Sequence, residues 1–589
     1  MGGFFLTNAR DSVDEGLGVF ARKGLPHAAT ITFGDFQLHV YQKLLRPAEN
    51  LYQHPAGDFV LAVGTLIYKD AVGRRARELL YADWDADGPS CGLADGALRG
   101  HFAVVLKKRG AVHVLNDAAG MYRLFLSTAE GVSISNSYLA VVHSLRNRSV
   151  SAQEAYEFVC SGAFYGGRTP CKQVRMVSPC EILVLSGNNL EAVERRPAAM
   201  PAVCPAGSLE SYGRPLLETV RGYFRVLREH FDGDVIADLT GGYDSRLVAA
   251  SLKHEGIRYA AAVSTESGST DVAVARHIAR QERLPLLVHD VDAGPETLDR
   301  QCDLLRRAYY LCDAFATEVV PYGPGVLGYG EARAEKASLV LGGGGGENFR
   351  AYREWAPPRP VSVGDLARRT CPLCSICVPR ATVRDYYARL DAKMQAALGV
   401  DRRRLLPGEV SRLYQLFRMR YWGGRGLSFY NQCFHYLAPF TDAGIAFATF
   451  GVPLELKRGA ALEQWMIRQQ DEQMAAYPSV YGNGFAENKG FSLRRIASGL
   501  KSKVISFVKD RSPQVLIGLS RSILHRTTGW HPARAAGPWL WPQLLQQVVG
   551  PPPYAVSEFI PFEKCTHMGP LLLSRCYTLE MHLRMSGLV

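Results

Sequence analysis

The chain has 589 residues, of which 47% are hydrophobic and 10% aromatic, and a formal net charge of +12. That length exceeds what one core holds, so two or more domains are expected, and the composition places the chain among soluble globular proteins. No run approaches the roughly 20 apolar residues of a membrane span, so no transmembrane segment is expected, and the positive charge suits a nucleotide or an acidic partner.

The first residues, MGGFFLTNARDS, lack the charged region and apolar core of a secretory signal, and Leu6 breaks the M-G-x-x-x-[ST] lipidation pattern. A cytoplasmic location is expected, with most of the 13 cysteines as thiols and not a disulfide frame. Residues 1–196 contain short β-rich runs separated by turn residues, such as DFVLAVGTLIY and CEILVLSG, which predict antiparallel sheets. Residues 197–208, with three prolines and no charge, read as a linker. Ser208 then caps a helix whose apolar face includes Leu216, Leu217, Val220, Phe224 and Leu227.

Residues 234–252, DVIADLTGGYDSRLVAASL, read as a buried strand, a glycine turn and a helix. Gly241 and Gly242 let a ligand approach the backbone, and the amides that open the helix favour an anion. Thr240 and Ser245 add hydroxyls, and Asp244 adds a carboxylate that Mg²⁺ could bridge to phosphate oxygens. Neither the P-loop pattern nor G-x-G-x-x-G is present, and a plain turn is the alternative. The strands YAAAVST and LLVHD, with the helix between them, predict a parallel sheet that binds ligands at its carboxyl end. Asp271 there is either a helix-cap carboxylate or part of the site. In SLVLGGGGGENFR, 338–350, a strand runs into five glycines, and Glu347 is the sole carboxylate. Cys371, Cys374 and Cys377 have metal-site spacing but no accompanying histidine, so unrelated thiols and a metal site both stay open. Residues 492–511 pair an apolar stripe with basic residues, which fits a surface helix, an acidic partner or a membrane face.

Several of these stretches resemble the asparagine-synthetase-type ATP pyrophosphatases. T-G-G-x-D-S-R resembles their pyrophosphate loop, and Gly100, Phe102, Ala103, Asp117 and Gly120 resemble their glutaminase domain. Gly342, Gly344, Glu347 and Phe349 match a second glycine station; Pro439, Phe440, Asp442, Pro453, Lys457, Glu463 and Arg468 match later ones. The departures are Gly2 where the family has its cysteine nucleophile, Thr65 and Leu66 in the glutamine pocket, Gly343 and Gly346 for two acids, and Gln464 for a lysine.

The resemblance implies an α/β and α+β chain: a degenerate Ntn-glutaminase-like β-sandwich over 1–196 and a parallel-sheet ATP-pyrophosphatase domain over 209–589. It implies a synthetase without glutaminase activity, similar to the branch containing β-lactam synthetase and lasso-peptide cyclase. Such an enzyme adenylates a small-molecule or peptide carboxylate with ATP and Mg²⁺, then transfers it to an amine. Thr240, Gly241, Gly242, Asp244, Ser245, Arg246, Gly342 and Gly344 would hold the phosphates, Val263 and Ser264 the adenine, and Asp244 and Glu347 the metal. With Gln464 uncharged, the reaction centre needs a cation from elsewhere. Arg468 is expected ahead of Lys457, because a partly buried guanidinium keeps its charge. Nucleic acid is not an expected partner; a homodimer and an acidic partner at 492–511 are. An ammonia-dependent asparagine synthetase is an alternative, and so is a non-catalytic descendant, favoured by Gly346 and Gln464.

Overall fold

A computed structural model describes residues 2–9, 13–49, 51–84, 97–195, 207–265, 268–290, 297–371, 377–481, 541–561 and 570–588. The basic stretch 492–511, Cys374 and linker residues 197–206 lie outside them.

The β-rich first third forms two six-stranded antiparallel sheets packed face to face. Alternate residues meet between them: Phe4, Leu6, Leu38 and Val40 from one sheet, and Leu61, Val63, Val105 and Val114 from the other. Each such side chain, once fully buried, contributes roughly 1.5–3 kcal/mol. The strand Phe59–Tyr68 is buried along its whole length. Its second face, with Val60 and Ala62, is covered by Ala76 and Leu80 of the helix Gly73–Asp83, so the half-exposed alternation of a simple sandwich is lost there. On the outer face of the other sheet, Phe5 packs with Val19 and Phe20 of the helix Val13–Lys23 and with Leu139.

The strand Gly3–Thr7 sets Gly2 in a closed place. Its amide donates to Tyr41 O at 3.0 Å and its carbonyl accepts from Asn136 Nδ2 at 3.0 Å. A Cβ added at Gly2 would lie 2.6 Å from the carbonyl oxygens of both Gln42 and Gln432. No side chain fits that position without moving backbone. Thr65 is also turned to structural use, its hydroxyl donating to Asn431 Oδ1 at 2.8 Å.

After the helix Leu209–Phe231, capped as expected by Ser208, comes a five-stranded sheet. Its spatial order is Leu286–Asp290, Tyr259–Thr265, Val235–Asp238, Leu339–Leu341, His435–Leu437, and every neighbouring pair is parallel. The order reverses between Val235–Asp238 and Leu339–Leu341, so the chain leaves these two strands in opposite directions and opens a crevice at their carboxyl ends. Both glycine stretches begin there.

The sandwich and the parallel sheet are joined by buried polar contacts. Gly100 N donates to Asp442 Oδ2 at 2.7 Å, and Lys43 Nζ donates to the carbonyls of Asn431 and Phe434 at 2.6 and 3.0 Å. Among the described residues, no helix is long and apolar enough to cross a membrane.

Candidate functional site

The first glycine turn joins the strand Val235–Asp238 to the helix Tyr243–His254. Asp238, the last residue of the strand, is fixed from below: Tyr329 Oη donates to it at 2.6 Å and Arg333 Nη1 at 2.8 Å. Arg333 is 1% exposed, and its guanidinium lies 3.9 Å from the centre of the Tyr329 ring. Within the turn, the hydroxyls of Thr240 and Ser245 are 3.0 Å apart, and Ser245 Oγ accepts from Thr240 N at 3.0 Å. The turn is therefore closed on itself before any ligand arrives.

The second glycine turn lies directly on the first. A Cβ on Gly343 would be 2.7 Å from Ser245 N, and one on Gly346 would be 2.5 Å from Asp244 Cβ. Neither position has room for a side chain, so the two glycines and the close approach of the turns are one feature. Gly342 N donates to Leu437 O at 2.9 Å, and Gly344 is exposed. Val263 is buried and Ser264 half-buried near the end of their strand, beside the first turn's strand.

Four charged side chains converge where the turns meet. Arg350 Nη2 donates to Asp244 Oδ2 at 2.9 Å and lies 3.4 Å from Glu347 Oε1, while its Nη1 lies 3.8 Å from Glu463 Oε2. Tyr414 Oη donates to Glu347 Oε2 at 2.6 Å. Three carboxylates around one guanidinium leave an excess of negative charge. Glu463 is fully buried; burial first, and Asp244 second, push its carboxyl well above the usual range. Burial and Glu347 push Asp244 up to about 6, against the pull of Arg350. Asp244 Oδ1 and both Glu463 oxygens are buried without a donor among the described residues. Two adjoining carboxyls of this kind are satisfied only by sharing a proton or a cation.

The sequence-based site residues are distributed unevenly around this cluster. Asp244 and Glu347 are brought together, but the Arg350 guanidinium bridges them. Among the described residues, no group of three or more acidic, histidine or cysteine side chains is arranged to hold a metal ion. Of this pair's oxygens, Asp244 Oδ1 is buried and has no hydrogen-bond partner among the described residues. The cation that lies among the three carboxyls is Arg350. Arg468, expected to be partly buried, is exposed on the helix Ala461–Gln470, the helix that buries Glu463. Lys457 is buried, but its charged neighbour is Arg412. Arg246 is 0% exposed and donates to the carbonyls of Tyr477 and Pro478 at 2.7 and 2.5 Å. It thereby holds residues 477–481 over the first turn, where Val480 N donates to Gly241 O at 3.1 Å.

Arg350 and Asp271 are what the sequence reading missed or left undecided. Arg350 closes the stretch SLVLGGGGGENFR, three residues after Glu347, a spacing that brings side chains together in a helical turn. Asp271 is not the helix cap, which is Ser269; its Oδ1 accepts from Gly241 N at 2.7 Å and ties the next helix to the glycine turn. Of the cysteine run, Cys371 and Cys377 are buried, and burial pushes the Cys371 thiol up to about 12.

No family model and no curated protein matches the chain. Among solved structures it is similar to one described as the allosteric regulatory enzyme of purine biosynthesis, at 10% identity over 50% of this chain and 82% of that one, with a TM-score of 0.23. It is also similar to glutamine phosphoribosylpyrophosphate amidotransferase from B. subtilis complexed with ADP and GMP, at 9% identity over 49% and 65%, with a TM-score of 0.22. At those TM-scores neither likeness bears on fold or activity.

Proposed function

We propose that the chain is an ATP-dependent carbon–nitrogen ligase of the AMP-forming kind, working in the cytoplasm without glutaminase activity. The observation that carries this reading is the pair of glycine turns at the switch point of a parallel sheet, with Asp244 and Arg350 between them. Residues 1–196 are read as a degenerate glutaminase-like sandwich and 209–589 as the synthetase domain. A carboxylate oxygen attacks the α-phosphorus of ATP, the bond to the β-phosphate breaks, and pyrophosphate leaves with its electron pair. An amine then attacks the acyl carbon and AMP departs. Arg350 offers a fixed positive charge to the phosphate oxygens, a kind of donor worth several kcal/mol in a dry site. Glu347, 22% exposed and held by Tyr414, is assigned to receive the amine's proton. ATP would enter with Mg²⁺ on its own phosphates, and Asp244 Oδ1 is the oxygen this chain offers beside it.

The closed sandwich position supports the second half of the proposal, because the backbone around Gly2 leaves no room for a nucleophilic side chain. ATP–pyrophosphate exchange over a panel of amino, aryl and aliphatic acids tests the reading. Exchange that depends on one acid class supports it. Nucleotide binding with no exchange for any acid favours a second reading, a non-catalytic nucleotide-binding protein. One observation favours that alternative: Gly241 N is already bonded to Asp271, and residues 477–481 already lie on the turn.

A further inference from the structure

Beside the carboxylate cluster, residues 406–412 and 450–457 line an open cleft of about 500 Å³. It borders the cluster through the backbone, since Ala351, next to Arg350, donates its N–H to Lys457 O at 3.1 Å. Two of the lining residues are cations. Lys457 is 2% exposed, and its ammonium has no hydrogen-bond or ion-pair partner among the described residues. Arg412 lies with its guanidinium 5.8 Å from the centre of the Phe450 ring, and its buried Nε has no acceptor among the described residues.

The acids of the cleft wall do not neutralise this pair. Glu409 is taken up by Arg402 and by Leu406 N, which donates to it at 2.8 Å. Glu455 is 72% exposed and lies 3.9 Å from Arg458. An ammonium on a largely buried side chain, beside a second cation and without a counter-ion, is held at a cost, and the cost is removed by an anion that enters between them. Burial and Arg412 accordingly push the Lys457 amine down to about 7. Apart from Ser411 the remaining side chains of the wall are apolar, with Phe450, Val452 and Leu454 each nearly buried and Leu406 54% exposed. A small inorganic ion would leave that surface without a partner.

We infer that this cleft binds an organic carboxylate, with its anionic group between Lys457 and Arg412 and its apolar body against Phe450 and Leu454. The test uses the full chain without ATP, so its result is independent of the nucleotide reading. Phenylacetate, 2-phenylethanol and inorganic phosphate are titrated by calorimetry. In parallel, Lys457 is labelled with limiting acetic anhydride and read by peptide mass spectrometry. Phenylacetate should bind and protect Lys457 from acetylation, and 2-phenylethanol should do neither. Lys457→Met and Arg412→Met should each weaken phenylacetate about tenfold or more, the effect of losing one charged hydrogen-bond donor. Glu455→Gln should leave the affinity unchanged. The methionine variants keep the volume of the aliphatic stem, and circular dichroism checks their fold. Absence of phenylacetate binding to the wild-type chain, or affinity untouched by both methionine variants, would overturn the inference. Phosphate binding as tightly as phenylacetate would overturn the assignment to an organic acid.

Discussion

The two places where the sequence resembles a catalytic centre have been treated in opposite ways by the fold. At Gly2 the backbone amide and carbonyl are both bonded and the space is filled to the backbone. Where the glycine turns meet, three carboxyls crowd one guanidinium and three of their oxygens have no donor among the described residues. A region kept for packing minimises unsatisfied charge, whereas a region kept for binding tolerates it until a ligand arrives. The difference teaches that the two regions differ in satisfied charge, and under the proposed function the strand ends are the working surface and the sandwich its support.

The comparison breaks most visibly at Asp244. Asp244→Asn should abolish ATP–pyrophosphate exchange while circular dichroism and the melting temperature stay near wild type, because the amide keeps the shape and one acceptor for Arg350. Wild-type exchange in that variant would remove Asp244 from the site. Next in size is Arg350→Ala, expected to lower exchange by roughly two to three orders of magnitude, as loss of a fixed charge donor does. Arg468→Ala, on the exposed face of its helix, should leave exchange within about twofold, the usual range for a surface change away from such features. The reverse ranking of the two arginines would restore the expectation drawn from the sequence motif.

The carboxyl pair sharpens the comparison through pH. Asp244 and Glu463 both have raised folded-state values, so the folded chain holds their protons longer than the unfolded chain. Stability from this pair is present below the ordinary carboxyl range and falls as pH rises from about 4 through about 6 and beyond. Glu463→Gln should remove most of that fall. Melting curves should coincide for the two proteins at acid pH and favour the variant above neutrality; a variant less stable at high pH would contradict the assignment. The smallest effect is expected at the other region. Gly2→Ala should cost about 1–3 kcal/mol in chemical denaturation through overpacking, and Gly2→Cys should produce no glutamate from glutamine.

How much of this was legible follows from how local each feature is. The strand, turn and helix of 234–252 are fixed by neighbours in the chain, and so were the antiparallel runs before them and the cap at Ser208. The position of Arg468 depends on which face of a helix is turned inward. Glu463 and Arg468 are five residues apart on one helix, about 140° around it, and this helix turns Glu463 inward and Arg468 outward. Spacing alone does not decide this, since Leu462 and Ile467, also five apart, are both buried, and so a motif match could expect Arg468 inside where the fold leaves it exposed. Asp271 at Gly241 and the Arg246 contacts with Tyr477 and Pro478 join residues 30 and more than 200 positions apart, and no local pattern announces them. The closure around Gly2 depends on the backbone of Gln432, more than 400 residues away, so the resemblance could suggest that a nucleophile is absent there but not that the backbone leaves no room for one.

The central claim is that a carboxylate becomes joined to the α-phosphate of ATP between the two glycine turns. The most direct measurement follows heavy oxygen from a labelled carboxylate, using the acid that best supports exchange, into the nucleotide product. The account predicts one labelled oxygen in AMP, unlabelled pyrophosphate, and loss of both products in Asp244→Asn. Label in inorganic phosphate together with ADP would contradict it, as would no labelled AMP with any acid.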